Sequence, residues 1–289
     1  MYNTIIIGAG PAGITAGLYL KRANIDVMII ENEDSVLMKT EKIENYYGFK
    51  NGITGRELYE NGILQAKNLN IPVFQEEVLK IEKEKIYKVY TDKKVYETKN
   101  IILATGNKKN KPNIDGIDEF EGKGISYCAI CDAFFYRQKN VAIIGSGNYA
   151  FSELKDLINI AKKVTILTNG RDIRENRSSA TEVDICTKKI KKITGENRVS
   201  KVIFDDNTTI DIDGIFIAEG VAGTLDFAKK LGIITDKNKI VVDNNMRTNI
   251  NNIYACGDCT GGILQISKAT YEGMIAAFDI IKSTRMEEK

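Results

Sequence analysis

The chain has 289 residues, 43% of them hydrophobic and 28% charged, with a net charge of +2. That length suits two domains, and so even a charge balance argues against nucleic acid as a partner. There are five cysteines and no histidine, which excludes Ser-His and Cys-His catalysis and imidazole metal ligands and leaves Asp, Glu, Lys, Tyr or Cys to move protons.

No run approaches the roughly 18 apolar residues of a membrane span. The N-terminus lacks a basic region ahead of its short apolar stretch, so it reads as a strand and not a signal peptide, and a cytoplasmic location is expected. In that reducing compartment a Cys-x-x-Cys is catalytic or metal-binding more often than a structural staple. A structural zinc needs four cysteines in paired spacing. Cys128/Cys131 and Cys256/Cys259 fit numerically, but each pair has a competing reading, and no metal is expected.

In chain order, residues 3–7 (NTIII) form an apolar strand, GAGPAG follows, and ITAGLYLKRAN is amphipathic at helical spacing. A second strand (DVMII) ends at Glu31. Strand, glycine turn, helix, strand and terminal acid together form a dinucleotide fingerprint. Gly8 permits the turn, Gly10 lets a pyrophosphate approach the backbone, and Gly13 lets helix and strand pack closely. KNIILATG then predicts a strand ending at Ala104-Thr105-Gly106, followed by a basic stretch that crosses between domains. SYCAICDAFFYR places Asp132 directly after Cys128 and Cys131. A second strand, turn and helix begins at 141–144 with GSGNYA, and its next strand covers 164–167. Near the C-terminus NINNIYACGD predicts a strand meeting a glycine turn at Asp258, and KATYEGMIAAFDIIK predicts a helix. The expected fold is α/β with two Rossmann-like domains, the second inserted into the first: 1–112 plus 247–289, and 113–246.

GAGPAG, IENYYG, ATG, YCAICDAFFYR, GSGNYA and YACGD, in this order and over nearly the whole chain, resemble the low-molecular-weight flavoprotein thioredoxin reductases. The resemblance implies FAD on the first domain, with contacts at Gly8, Gly10, Ala12, Gly13, Glu31, Asn45, Gly106, Gly257, Asp258 and Gln265. It implies a homodimer, and an inserted domain of NADPH-binding type that carries the redox pair Cys128 and Cys131. Cys131 would face the flavin, Cys128 would attack the thioredoxin disulfide, and Asp132 would act as proton donor. A thiolate is the nucleophile of disulfide exchange, and the second cysteine resolves the mixed disulfide.

The departures from this family gather at nicotinamide binding. Tyr149 stands where the family has a small hydroxyl residue. The basic signature His-Arg-Arg-x-x-x-Arg is replaced by TNGRDIR, with Arg171 and Arg174, and the usual Gly-x-x-Pro by GVAG. Around FAD, the Gly-Gly-Gln-Leu loop is replaced by DSVLMK, and Leu264 replaces an arginine. This pattern is similar to the ferredoxin-dependent flavin thioredoxin reductases of anaerobic bacteria, which implies reduced ferredoxin as electron donor and thioredoxin as acceptor. An NADPH-dependent reductase with an atypical site is the alternative, because Gly145-x-Gly147-x-x-Ala150 survives. A non-catalytic flavin electron carrier or redox sensor is the alternative of another class. Cys256/Cys259 read as small buried residues before an auxiliary redox pair, and Cys186 as inert. The lysines of TGNKKNKP and TKKIKKITG serve either an acidic partner or a solvated face. The FFYR aromatics belong either to a core or to a contact surface.

Overall fold

The first strand, β1 (Tyr2–Ile7), carries Ile5 and Ile6 with no exposure. Burial of each side chain stabilises by about 1.5–3 kcal/mol, and burial on both faces is why the strand reads as a continuous apolar run. A computed structural model of the chain describes all residues except 33–34, 107–111, 128, 174–182, 221–223, 237–238 and 288–289. After β1 come α1 (Pro11–Arg22), β2 (Val27–Glu31), α2 (Gly55–Asn68) and β3 (Val73–Gln75). Then follow β4 (Val78–Lys83), β5 (Tyr87–Thr91) and β6 (Val95–Leu103). β3, β2, β1 and β6 are parallel neighbours in that order, in register Ile5↔Met28 and Ile5↔Ile101. The N-terminal half of β6 pairs antiparallel with β5, and β5 pairs with β4.

The inserted stretch contains α3 (Ile117–Phe120), β7 (Ile125–Ser126), α4 (Ala129–Asp132), β8 (Asn140–Ile144), α5 (Asn148–Leu157), β9 (Lys163–Leu167) and β10 (Asp184–Cys186). β11 (Ile190–Gly195), β12 (Val199–Phe204), β13 (Thr209–Asp211) and β14 (Gly214–Ile217) complete it. A parallel sheet runs β10-β9-β8-β14-β7, and β11-β12-β13 form an antiparallel meander. Its core gathers Phe120, Ile144, Leu167, Val202, Phe204 and Ile215.

The chain then adds α6 (Thr224–Lys230), β15 (Thr235–Asp236), β16 (Lys239–Ile240), β17 (Ile253–Ala255) and α7 (Ile266–Glu287). β17 pairs parallel with the C-terminal half of β6. α7 packs on α1 at close range, because a Cβ on Gly273 would meet Ala12 O at 2.1 Å. The chain divides into two compact units, Met1–Lys108 with Gly223–Lys289, and Lys109–Ala222. By compactness, the stretch from Gly223 on groups with the first unit, where the sequence reading places the return at 247. Its early part is anchored at the Asp258 turn, where a Cβ on Gly261 would lie 2.9 Å from Lys239 Cδ. Among the described residues no helix is long and apolar enough to cross a membrane.

Candidate active site

In the first unit the carboxyl ends of β1, β6 and β17 lie level. Ala104 N donates to Ile7 O at 2.8 Å, and Cys256 N to Leu103 O at 3.0 Å. Gly8 has φ +108°, and a Cβ there would lie 2.4 Å from Ala104 O, so only glycine fits the turn. A Cβ on Gly13 would meet Gly8 O at 1.9 Å, which sets α1 directly against the turn. Nothing lies within 4 Å of the Cβ position of Gly10, at the N-cap of α1. Pro11 begins the helix and its first turn carries no acid, so the open backbone at its positive end suits a pyrophosphate. A Cβ on Gly257 would lie 3.0 Å from Ala12 Cβ. The structure thus brings Gly8, Gly10, Ala12, Gly13 and Gly257 together.

Glu31 ends β2, and Tyr59 Oη, from α2, donates to its Oε2 at 2.7 Å. Asn45 Nδ2 donates to Gln265 Oε1 at 2.9 Å, which joins two expected contacts from distant parts of the sequence. Gly106 follows β6, with nothing within 4 Å of its Cβ position. Asp258 sits on a turn held from α7. Gly257 N donates to Glu272 Oε2 at 2.8 Å. Lys268 Nζ donates to Gly257 O at 2.8 Å and Gly261 O at 2.7 Å, and pairs with Glu272 at 2.9 Å. Burial raises the Asp258 carboxyl above its ordinary value, with Lys268 opposing. Beneath the turn, Cys259 Sγ contacts Cys256 O at 3.2 Å. Burial pushes both thiols up, Cys259 to about 12. Such thiols are inert, which favours their reading as small packed residues.

In the second unit, Cys128 lies outside the described residues. Cys131 lies in α4, where its backbone alone is described. Asp132 ends α4, and its Oδ2 accepts from Ser126 Oγ at 2.6 Å. α5, opened by the second glycine turn, stands behind this segment. Buried Glu153 accepts from Ala129 N at 2.8 Å, and buried Tyr149 directs its Oη at Tyr127 O, 3.5 Å away. α5 therefore touches the backbone on both sides of Cys128. The FFYR aromatics split: Phe134 and Phe135 are 73% and 69% exposed, while Tyr136 is buried against Phe216. Of the later lysine run, Lys188 pairs with Asp206 at 2.7 Å and Lys191 donates to Asn207 at 3.1 Å.

The second glycine turn follows β8 closely, since a Cβ on Gly145 would lie 2.2 Å from Ala218 O. Arg171 Nη1 pairs with Glu219 Oε1 at 2.7 Å, and the Glu219 side chain is only 8% exposed. Burial raises the Glu219 carboxyl, with Arg171 pulling the other way. Arg174 and residues 221–223 lie outside the described residues. Sequence reasoning missed Tyr59, Glu153, the Lys268–Glu272 pair and Glu219. Only Glu219 left a local signal, an acid two residues past the strand in FIAEG; the others work through partners distant in sequence.

A family model for pyridine nucleotide-disulphide oxidoreductases matches residues 2–273. A thioredoxin reductase of Ureaplasma parvum is 36% identical over 295 aligned positions, which cover 96% of this chain and 95% of that protein. Among solved structures, the atypical thioredoxin reductase TRi from Desulfovibrio vulgaris Hildenborough superposes with a TM-score of 0.90 at 35% identity, covering 98% of this chain and 99% of its own. A ferredoxin-flavin thioredoxin reductase from Clostridium acetobutylicum superposes with a TM-score of 0.71 at 32% identity, covering 99% and 98%. With two glycine-turn units and this similarity along nearly its whole length, the chain belongs to the pyridine nucleotide-disulphide oxidoreductase family, among the thioredoxin reductases.

Proposed function

We propose that this chain reduces thioredoxin with electrons from reduced ferredoxin, using FAD and the Cys128/Cys131 pair. Thioredoxin reductase activity and FAD follow from the family; the donor and the residue roles are the finer reading. The first unit fits FAD, because the Gly10 backbone is open where a pyrophosphate would lie. Gly8, Gly10, Ala12 and Gly13 would hold the pyrophosphate, and Glu31 the ribose. Asn45, Gly106, Gly257, Asp258 and Gln265 would line the rest. When bound, FAD supplies a store that accepts electrons singly and releases them as a pair.

The chain's own chemistry is disulfide exchange. The Cys128 thiolate attacks the thioredoxin disulfide, which forms one mixed S–S bond and frees one thioredoxin thiolate. Cys131 then attacks Cys128 of that bond, leaving a Cys128–Cys131 disulfide and a fully reduced thioredoxin. Asp132, oriented by Ser126, supplies and collects protons at the sulfurs. The exposed Phe134 and Phe135 flank the pair and suit an apolar protein contact.

Tyr149 carries the choice of donor. Its phenol is buried at the opening turn of the second fingerprint and faces the redox segment. On this reading, the helix start that would receive a dinucleotide instead buttresses the backbone at Tyr127 and Ala129. The likeness to a ferredoxin-flavin enzyme supports the same reading. NADPH remains the second reading on one observation: Thr168 Oγ1, at the end of β9, is buried without a hydrogen-bond partner among the described residues. The proposal includes a cytoplasmic homodimer, and the exposed Tyr19–Phe278 ring pair offers an apolar face for it.

The test is anaerobic reduction of thioredoxin disulfide with reduced ferredoxin or with NADPH. Turnover is expected with ferredoxin alone, and Cys128→Ser or Cys131→Ser abolishes it. Comparable turnover with NADPH would refute the donor. Flavin reduction without any thioredoxin reduction would favour an electron carrier.

A further inference from the structure

In open α/β sheets, ligands bind beyond the carboxyl ends of the strands, where the strand order reverses. In the second unit that point is the end of β8, with β9 on one side and β14 on the other. The three strands finish level, because Ile144 pairs with both Leu167 and Ile217. The glycine turn Gly145–Gly147 starts there. Arg171 follows β9 in a turn closed by Arg171 N donating to Thr168 O at 3.2 Å. Glu219 follows β14, directly after Ala218, whose N donates to Ile144 O at 2.9 Å. The 2.7 Å ion pair between them thus joins the two strands that flank β8 and spans its carboxyl end. The next residue leans the same way, since Gly220 O lies 3.8 Å from the Cβ position of Gly147.

We infer that Glu219 is a specificity-determining residue that bars pyrophosphate-bearing dinucleotides from the second unit, by tying Arg171 across the end of β8 and placing a carboxylate at the glycine turn. This deepens the ferredoxin reading and rests on it. Two physical effects act together. Arg171, the described cation of TNGRDIR, has its Nη1 engaged by a carboxylate, which competes with a phosphate for its fork. The carboxylate itself is buried, so water screens little of its repulsion toward a second anion. A glycine turn alone keeps the shape of a phosphate site, and the charge at its rim decides whether an anion enters.

Binding of NADPH, NADH and ADP is measured directly by titration calorimetry, apart from catalysis. The proteins are the wild type, Glu219→Gln, Glu219→Ala and Arg171→Ala, each checked for unchanged flavin content and unfolding midpoint. The wild type is expected to show no binding. Glu219→Gln and Glu219→Ala gain affinity for all three nucleotides by at least about tenfold. Arg171→Ala gains none, because the carboxylate remains. If the wild type and both Glu219 variants all fail to bind, the role of Glu219 is overturned while the ferredoxin reading stands. If Arg171→Ala gains as much as Glu219→Gln, the carboxylate is not the barrier. If the wild type binds NADPH at micromolar concentration, the donor reading falls, and Glu219 as a barrier falls with it.

Discussion

Glu31 shows how one residue depends on a neighbour that its own sequence context does not reveal. Its carboxylate accepts from Tyr59 Oη at 2.7 Å, which orients it for the ribose contact proposed above. Losing one such bond costs about 0.5–1.5 kcal/mol. Tyr59→Phe is therefore expected to weaken FAD binding to the apoprotein roughly two- to tenfold, read by flavin fluorescence quenching. In the proposed mechanism Asp132 moves protons, so Asp132→Asn is expected to slow thioredoxin reduction on the order of 10²-fold with FAD content unchanged; an unaltered rate would remove it from the mechanism. Cys256 and Cys259 are predicted to resist a thiol reagent at pH 8 until urea unfolds the chain. The sign follows from burial, which raises both thiols and Cys259 to about 12. They stay protonated in the fold, while the unfolded thiols ionise near the usual value of about 8.5. Their contribution to stability is complete below that value and is lost as pH climbs toward about 12.

At the scale of elements, the first glycine turn is a tight joint. Gly8 combines φ +108° with a Cβ position 2.4 Å from Ala104 O. Gly8→Ala is expected to destabilise the chain by at least about 1–3 kcal/mol, measured by urea unfolding, and to abolish FAD retention. The parallel strands and their turns were legible in the sequence because burial on both faces writes an unbroken apolar run, and close backbone approach demands glycine. Asn45, Gly257 and Gln265 came instead from the family resemblance. The rest was hidden for identifiable reasons. β11–β13 have one solvated face with exposed lysines, so their apolar signal is diluted. The grouping of 223–246 with the first unit has little local signal, because α6, β15 and β16 are short, and β16 is anchored through Lys239 on a turn later in the chain. Glu153 bonds to Ala129 N across elements, a pairing that periodicity does not report.

On the scale of the whole molecule, the two glycine-turn units have the same design and different fates. The first keeps an open backbone at Gly10 and an acid at the end of its second strand. The second buries Tyr149 at the corresponding helix start and joins Arg171 to Glu219 across the end of β8. On the proposed reading, one unit binds a nucleotide cofactor, and the other carries the dithiol, with α5 set against the backbone at Tyr127 and Ala129. The most direct measurement of this division mixes the oxidised flavoprotein anaerobically with excess NADPH, then with reduced ferredoxin, and follows flavin absorbance. NADPH is predicted to leave the flavin oxidised, and ferredoxin to bleach it. Bleaching by NADPH within seconds would contradict the account, because the second unit would then be a working nicotinamide site.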